Sequence, residues 1–261
     1  MINFSFDPVI ASFSIFEIRY YGLVYVFGFI LIYLWLWFGI KKKKIDLDTE
    51  ELDTLMLYLM LGVILGSRLF HVFIWEPVYY FSNPLQIFAV WNGGMAFHGG
   101  LIGSALAIWL FCKKESIKKK GISLAKLADY LVIPGIFVLA LGRIANFLNG
   151  ELPGTVTNVP WCFNFPGYEG CRHPSQLYGA IKRFIILGII VVFDRVYIAK
   201  NSVKDGFLFW LFVGLMGIGR FILNFFRDDL RLFGLSTGQY LGLGMFIIAV
   251  AVYFKYYYHK E

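Results

Sequence analysis

Long apolar runs, separated by short polar segments, dominate the chain. Each run is close to the ~20 residues that a helix needs to cross the hydrocarbon core of a bilayer, so we predict about seven transmembrane helices. Their approximate limits are residues 20–40, 54–75, 93–112, 124–147, 178–198, 206–226 and 238–254. Lys182 and Arg183 interrupt the start of the fifth run, and we expect their charged ends to extend to the membrane surface. The pattern indicates an all-α integral membrane protein.

Composition supports this class of protein. Hydrophobic residues make up 59% of the 261 residues, above the roughly 45–50% of a soluble globular protein. No polar stretch is long enough for a separate soluble domain, so we predict one transmembrane domain over residues 1–261. The first apolar run, residues 22–40, is too long for the core of a signal peptide and is predicted to remain as a span.

The distribution of basic residues predicts the orientation in the membrane. The net charge of +7 does not indicate nucleic-acid binding, because the lysines lie in short runs between apolar spans. Fourteen Lys and Arg residues fall in one set of alternating connections, and four fall in the opposite set. Since basic residues concentrate on the cytoplasmic side, we expect the N-terminus outside and the C-terminus inside.

The longest connection, residues 149–176, is predicted to lie outside as a small ordered cap. It contains four prolines and four glycines, which favour turns over a helix. It also contains Cys162 and Cys171, for which a disulfide and two unpaired thiols both remain open. The third cysteine, Cys112, lies in an apolar run. No spacing of cysteine and histidine matches a zinc site, so a metal is not indicated.

Three arginines, Arg68, Arg143 and Arg220, lie inside apolar stretches. A charged side chain at membrane depth costs at least ~2.5–3.5 kcal/mol on insertion scales, so it is rarely found there without a role. Arg143 and Arg220 each follow a glycine and are followed by an asparagine within one helical turn. Together the three arginines indicate an anionic ligand inside the bilayer. A phosphate head group fits, because a guanidinium grips phosphate as a bidentate fork.

The segment WNGGMAFHGGLIG, residues 91–103, contains two Gly-Gly pairs. Such pairs are compatible with helix packing in lipid and with a close approach to a ligand. His98 lies between the pairs and is a candidate for proton transfer, because an imidazole in a membrane segment is by default a functional group. A hydrogen bond from His98 to a neighbouring helix is the alternative, and both remain open.

The segment GRIANFLNGELPG, residues 142–154, combines Arg143, Asn146 and Glu151. Arg143 and Asn146 are three residues apart and share a helix face. Glycine and proline after Asn149 end the helix, so we expect Arg143, asparagine and loose backbone donors to lie at one depth. That arrangement suits an anion. An ion pair between Arg143 and Glu151 that fixes the helix end is a compatible alternative.

Two polar stretches stand immediately before spans. In RHPSQLY, residues 172–178, Ser175 and Gln176 offer an N-cap for the fifth helix. In EIRYYGL, residues 17–23, Tyr20 is placed where aromatic belts anchor helices at the membrane surface.

The segment GIGRFILNFFRDDLR, residues 217–231, carries Arg220 and Asn224 four residues apart and therefore on one helix face. A buried Arg220 needs an anionic partner or ligand. The expected ion pairs further along join Asp228 or Asp229 to Arg227 or Arg231.

Together these motifs resemble those of the prolipoprotein diacylglyceryl transferase family over nearly the whole chain. The matching segments are IRYYGL, GSRL, WNGGMAFHGGLIG, GRIANFLNGELPG, RHPSQLY, GRFILNFFR and the S-x-GQ of residues 236–239. The resemblance implies seven spans with the N-terminus outside, a location in the bacterial cytoplasmic membrane, and an active site toward the outer leaflet.

The resemblance also implies a reaction, the first step of lipoprotein maturation. A diacylglyceryl group passes from phosphatidylglycerol to the lipobox cysteine of a prolipoprotein signal peptide, which forms a thioether and releases glycerol phosphate. We expect Arg143 and Arg220 to neutralise the leaving phosphate and His98 to take the thiol proton. The implied catalytic residues are Tyr21, His98, Arg143 and Arg220, and the implied lipid-binding residues are Arg143, Asn146, Glu151, Gly154 and Arg220. No cofactor or nucleic acid is implied, and we expect a monomer.

Two alternatives remain open. The family usually has glutamate at the position of Asn224 and often tyrosine at that of Met216, and these differences suggest the first alternative, a lipid-binding paralogue without the activity or with altered specificity. The intact set of His98, Arg143, Asn146, Glu151 and Arg220 favours the enzyme. Embedded arginines also occur in anion transporters. A transporter predicts broken helices in paired positions, and the sequence has no such pairing.

Overall fold

The structure, a computed structural model, describes residues 2–7, 9–13, 16–90, 93–198 and 203–258. Most of these residues are helical. The helices are α1 (Tyr20–Lys41), α2 (Thr49–Phe70), α3 (Pro77–Ser82), α4 (Phe97–Cys112), α5 (Glu115–Lys119), α6 (Leu124–Leu148), α7 (Ser175–Val192), α8 (Phe207–Leu223) and α9 (Thr237–Tyr253). The strands are β1 (Ile2–Asn3), β2 (Val9–Phe13), β3 (Phe16–Arg19), β4 (Phe163–Asn164), β5 (Arg231–Leu232) and β6 (Leu235–Ser236).

Among the described residues, six helices are long and apolar enough to cross a membrane. With their short continuations, these spans are Gly22–Lys41, Thr49–Trp75, Leu124–Leu148, Ser175–Ile198, Phe207–Phe226 and Thr237–Tyr258. A shorter apolar helix, α4, has 16 residues, fewer than the ~20 that a bilayer requires. The prediction of a helical multi-pass membrane protein is confirmed.

The third predicted span begins later than the sequence pattern suggested. Gly93 and Gly94 have φ of 84° and 72°, in the left-handed region that an α-helix cannot contain. Helix α4 therefore begins at Phe97 and not at residue 93. The second span begins earlier than the predicted residue 54. It begins at Thr49, because Asp48 and Glu51 form a capping box that places a polar first turn on an otherwise apolar helix.

The chain divides into two compact units, which are described separately. The small unit comprises residues 29–127, and the large unit comprises residues 1–28 and 128–261.

In the small unit, α2 and α4 pack through glycines. A β-carbon on Gly103 would lie 1.9 Å from the carbonyl oxygen of Gly62, and one on Gly66 would lie 2.9 Å from the α-carbon of Gly103. Only glycine permits backbones to approach this closely. Gly99 likewise faces Gly66. The glycines that follow His98 in the sequence thus serve helix packing, one of the two interpretations left open above.

Arg68 organises the chain between α3 and α4. The residue is buried, with 4% exposed. Its Nε donates to the carbonyl of Ile87 at 2.8 Å, Nη1 donates to the carbonyls of Gly93 and Gly94 at 2.6 and 3.2 Å, and Nη2 donates to the carbonyls of Gln86 and Ala89. All five guanidinium protons are thereby used. The expectation that Arg68 joins an anion site is wrong, because its guanidinium binds backbone carbonyls of residues 86–94.

In the large unit, α6, α7 and α8 meet around an apolar core. Its buried members are Val132, Ile136, Ile186, Ile190, Phe207 and Leu208. Next to this core, the carboxylate of Asp129 in α6 accepts from the backbone N–H groups of Gly206 and Phe209 at 2.6 and 2.8 Å. A carboxylate at a helix N-terminus satisfies donors that have no partner within the helix. Asp129 therefore fixes where α8 begins relative to α6.

The cap is ordered by short strand pairings, as its composition predicted, and α7 begins directly after it. Cys162 and Cys171 form a disulfide, which settles the alternative left open by the sequence. Phe163 and Arg172 exchange backbone hydrogen bonds of 3.0 and 2.9 Å beside it. Strand β1 pairs in parallel with β4, so the N-terminal segment joins the cap. Phe4 packs against the rings of Phe147 and Phe165, with centroids 5.6 and 5.1 Å apart.

Candidate functional site

The C-terminus of α6 forms a Schellman motif that positions the predicted site residues. Gly150 has a φ of 68°, which glycine adopts without strain. Its N–H bonds to the carbonyl of Phe147 at 2.9 Å, and the N–H of Glu151 bonds to the carbonyl of Asn146 at 3.0 Å. This pair of bonds ends the helix and satisfies two of its last carbonyls. The Asn-Gly pair in the sequence thus determines where Glu151 lies.

Glu151 holds two amide side chains at this helix end. Its Oε2 accepts from Nδ2 of Asn146, and its Oε1 accepts from Nδ2 of Asn149, both at 3.1 Å. Asn146 is buried, with 9% exposed. Arg143 lies one turn earlier and is half-buried. The structure therefore joins Asn146 to Glu151 and places Arg143 one helical turn before Asn146 on the same helix.

The first turn of α7 attaches to the same loop. The predicted N-cap function of Ser175 and Gln176 is wrong, because the cap residue is Pro174 and α7 begins at Ser175. Instead, the Ser175 hydroxyl donates to the carbonyl of Leu152 at 3.0 Å, and Nε2 of Gln176 donates to the carbonyl of Glu151 at 2.5 Å. Both side chains point back to the loop and not along their own helix. They fix the residues between α6 and α7.

Gly154 lies where the cap crosses the end of α8. Its N–H donates to the carbonyl of His173 at 2.8 Å, and its carbonyl accepts from Nη1 of Arg172 at 3.1 Å. A β-carbon at this position would lie 2.3 Å from the carbonyl oxygen of Phe226. Any other residue would force the two backbone segments apart. The structure thus gives a steric reason for glycine at this predicted site position.

We expect Gly154→Ala to separate the cap from the end of α8. Overpacking of this kind costs about 1–3 kcal/mol, and the clash involves backbone that cannot turn away. The thermal midpoint of the purified protein should fall, and the reaction proposed below should be largely lost. The matched control is Gly135→Ala, since a β-carbon on Gly135 would meet nothing within 4 Å. Equal midpoints for the two variants would contradict this role of Gly154.

One ion pair connects the cap to the segment after α8, and a second lies within that segment. Nη1 of Arg172 lies 2.9 Å from the carboxylate of Asp228, and Nε of Arg227 lies 3.2 Å from that of Asp229. The predicted pairing of Asp229 with Arg227 is confirmed. Asp228 pairs with Arg172, which the sequence did not indicate, because the partner is 56 residues earlier in the chain.

A histidine of the cap is also held in this region. Nδ1 of His173 lies 3.0 Å from the hydroxyl of Tyr178, and that hydroxyl accepts from Nε1 of Trp161 at 2.7 Å. Burial lowers the pKa of His173 below its usual value, which is near 6.5. Burial therefore favours the neutral form of this imidazole.

The end of α8 presents Arg220 and, one turn later, Asn224. Asn224 is buried, and its Nδ2 donates to the carboxylate of Asp229 at 2.9 Å and to the hydroxyl of Ser236 at 3.0 Å. Ser236 in turn forms a capping box with Gln239 at the start of α9. Asn224 therefore joins α8 to α9. Within the described residues, the guanidinium of Arg220 makes neither a hydrogen bond nor an ion pair.

Five basic side chains gather at this end of α6, α7 and α8. The charges of Arg143, Arg220 and Arg227 act on both Lys182 and Arg183. Lys182 crosses to α8, where a β-carbon on Gly219 would lie 2.5 Å from its Cδ. Arg183 is buried, so the expectation that its charged end reaches the membrane surface is wrong. The sequence did not assign Lys182 and Arg183 to the site, since only burial distinguishes them from surface residues.

The remaining predicted site residues are placed as follows. His98 is the second residue of α4 in the small unit, is exposed, and stacks on Phe70 with ring centroids 6.0 Å apart. Tyr21 is the second residue of α1, and its side chain lies outside the described part of the structure.

Fold and site together define a multi-pass membrane protein with a basic cluster at the ends of its helices, suited to an anionic ligand. A family model of the prolipoprotein diacylglyceryl transferases matches residues 8–255. The chain belongs to this family.

The similarity to known proteins extends over nearly the whole chain. It is 38% identical over 253 residues to a phosphatidylglycerol–prolipoprotein diacylglyceryl transferase of Geobacter sulfurreducens, with 94% of each chain covered. It is 40% identical over 257 residues to one of Oleidesulfovibrio alaskensis, with 93% of this chain and 90% of the relative covered. It is 38% identical over 263 residues to one of Dechloromonas aromatica, with 97% and 96% covered.

Proposed function

We propose that this protein is the enzyme that transfers the diacylglyceryl group of phosphatidylglycerol to the lipobox cysteine of a prolipoprotein. The thiolate sulfur attacks the glyceryl carbon that bears the phosphate. A carbon–sulfur bond forms, the carbon–oxygen bond to phosphate breaks, and glycerol phosphate leaves with the bonding electron pair. This reaction is the first step of lipoprotein maturation and requires no cofactor.

The observation that carries this proposal is the excess of positive charge around Arg220. Its guanidinium has no hydrogen-bond or ion-pair partner within the described residues. The positive charge of Arg227 repels Arg220, and the negative charge of Asp229 attracts it. Asp229 is already bonded to Arg227 and Asn224. Charge of this kind in a low-dielectric setting requires an anion. A lipid phosphate supplies one.

Arg143 and Arg220 have the charge that the leaving group needs. As the carbon–oxygen bond breaks, negative charge grows on phosphate, and fixed cations aimed at that charge lower the barrier. Asn146 and Glu151 are bonded to each other and hold the helix end from which Arg143 extends. Gly154 allows the cap to close on α8. Tyr21 is proposed to orient the head group.

The thiol must lose its proton, since its ordinary pKa of about 8.5 leaves little thiolate at neutral pH. We assign this step to His98, a neutral imidazole being a suitable base. The proton passes from the substrate sulfur to the ring nitrogen. The assignment rests on the position of His98 at the start of an apolar helix.

Two buried acceptors suit the glycerol of the head group. Oε1 of Gln176 and Oδ1 of Asn149 are buried and have no hydrogen-bond partner in the described part of the chain. Gln176 is 1% exposed. The head group of phosphatidylglycerol carries two hydroxyls, which are donors, and unpaired buried acceptors favour a ligand that can donate to them.

The protein is proposed to lie in the bacterial cytoplasmic membrane as a monomer, with the N-terminus outside, the C-terminus inside and the site toward the outer leaflet. Basic residues such as Arg195, Lys204 and Lys255 lie at the opposite ends of α7, α8 and α9 from the cap. This distribution favours a cytoplasmic location for those ends. The disulfide of the cap favours an oxidising outer compartment.

The direct test is transfer by the purified full-length protein. The protein is incubated with phosphatidylglycerol and a lipobox peptide. Mass spectrometry should then show one diacylglyceryl group added to the peptide. Glycerol phosphate should be released in equal amount. A peptide with serine in place of the cysteine is the control. No modification by correctly folded protein, while phosphatidylglycerol still binds, would favour the lipid-binding paralogue instead.

Because the nucleophile belongs to the substrate, we expect the cysteines of this chain to be dispensable for the chemistry. Cys112→Ser should transfer at the wild-type rate. Replacing Cys162 and Cys171 together should leave the reaction intact at low temperature but lower stability, since a disulfide typically contributes about 2–4 kcal/mol. Transfer rates and thermal midpoints measure the two effects. Loss of transfer by a folded Cys112→Ser protein would contradict a substrate-borne nucleophile.

A further inference from the structure

Arg183 stands out among the basic side chains of the site because it is almost completely buried. It lies two turns into α7 and is 8% exposed. Its Nη1 donates to the carbonyl of Gly179, one turn earlier, at 2.8 Å. This bond fixes the guanidinium against its own helix. The opposite edge of the guanidinium, formed by Nε and Nη2, takes no part in the bond.

Gly179 brings Arg183 and Arg143 to the same place. A β-carbon on Gly179 would lie 3.3 Å from Nη1 of Arg183 and 3.4 Å from Cδ of Arg143. The side chain of Arg143, which comes from α6, therefore passes over the point on α7 to which Arg183 is bonded. Two guanidinium groups from different helices flank one glycine.

Nothing in the described part of the chain neutralises Arg183. Its Nε is buried and has no hydrogen-bond partner. No carboxylate lies within ion-pair distance among those residues. The charges that act on it are those of Arg143, Arg220 and Arg227, which are all positive. A buried cation that is repelled on several sides and keeps an unused donor is strongly unfavourable unless an anion occupies the adjoining space.

We propose that Arg183 is a phosphate ligand of this site, and that its Nε–Nη2 edge binds phosphate oxygens beside Arg143. The edge presents two parallel N–H donors, the geometry that matches two oxygens of one phosphate. The inference rests on the proposed function and adds a residue to it. The phosphate belongs either to phosphatidylglycerol or to the glycerol phosphate that leaves, and the experiment below distinguishes the two.

The test compares Arg183→Met with Arg195→Met in the full-length protein. Arg195 is on the continuation of the same helix, and its side chain is 72% exposed, so its replacement controls for loss of charge alone. Three quantities are measured for each protein. They are the thermal midpoint without lipid, the rise in that midpoint with phosphatidylglycerol vesicles, and the inhibition of transfer by glycerol phosphate.

For Arg183→Met, we expect a thermal midpoint without lipid that equals or exceeds the wild-type value, because an uncompensated buried charge has been removed. Loss of one bidentate phosphate contact should weaken the affected ligand about tenfold or more. A weakened response to phosphatidylglycerol assigns Arg183 to the lipid phosphate. A normal lipid response with about tenfold weaker inhibition by glycerol phosphate assigns it to the released phosphate. Arg195→Met should match the wild type throughout.

A purely structural Arg183 would give the reverse pattern. The midpoint of Arg183→Met would then fall without lipid, while both ligand responses stayed at wild-type strength, and that result overturns the inference. Failure of the proposed function is a separate outcome. In that case the wild-type protein itself transfers no diacylglyceryl group, but the lipid-dependent midpoint still reports whether Arg183 binds phosphate.

Discussion

Arg220→Ala is expected to reduce diacylglyceryl transfer by a factor of about 10²–10³, the loss that follows removal of one preorganised charge-stabilising donor in other enzymes. Arg220 is the basic side chain whose guanidinium lacks any protein partner within the described residues, so its interaction energy is available to the ligand. The alanine variant should fold normally, since no protein hydrogen bond of the guanidinium is lost. The rate of transfer to a lipobox peptide measures the effect.

Arg231→Ala is the matched control for that experiment. Arg231 is exposed, and its guanidinium donates to the carbonyl of Phe225 at 3.5 Å. Its replacement should leave transfer within twofold of the wild type, as expected for a solvent-exposed charge. If Arg220→Ala and Arg231→Ala proteins were equally active, the leaving-group role of Arg220 would be wrong.

The largest effect on stability is expected from Arg68→Ala. Five backbone carbonyls between residues 86 and 94 would lose their donor at a buried position. Breaking a buried charged network of this kind costs roughly 3–5 kcal/mol. The thermal midpoint should fall by many degrees. Amide exchange in the segment after α3 should accelerate, because the one side chain that binds five carbonyls of this segment has been removed.

Two comparisons make the Arg68 prediction specific. Arg68→Lys keeps the charge but offers three donors in place of five, so its midpoint should lie between those of the alanine variant and the wild type. Lys44→Ala, at an exposed position of the same unit, should have no effect. A wild-type midpoint for Arg68→Ala would show that the loop is held in another way.

The sequence predicted the class of fold and part of the site. Its apolar runs located the six long helices of the described residues, and the glycine and proline after Asn149 located the end of α6. It did not separate the roles of Arg68 and Arg220, which stand in similar apolar contexts. The difference lies in their partners, since Arg68 meets carbonyls 18 to 26 residues away along the chain. Contacts at that separation are not visible in a local pattern.

Arg183 illustrates the same limit. A basic pair near the start of an apolar run is typical of side chains that reach the membrane surface. Burial of Arg183 depends on the absence of a side chain at Gly179 and on the path of Arg143, which belong to two different helices. The late start of α4, at Phe97 and not at residue 93, is another case. Gly93 and Gly94 are in the left-handed conformation, and the distant Arg68 binds the carbonyls of both.

The central claim is that guanidinium groups from separate helices hold one lipid phosphate. An experimental structure of the full-length protein in a lipid nanodisc containing phosphatidylglycerol tests it most directly. We predict a head group whose phosphate oxygens lie within hydrogen-bonding distance of both Arg143 and Arg220. A head group bound elsewhere, with each of these arginines paired to a carboxylate of the protein, would contradict the account.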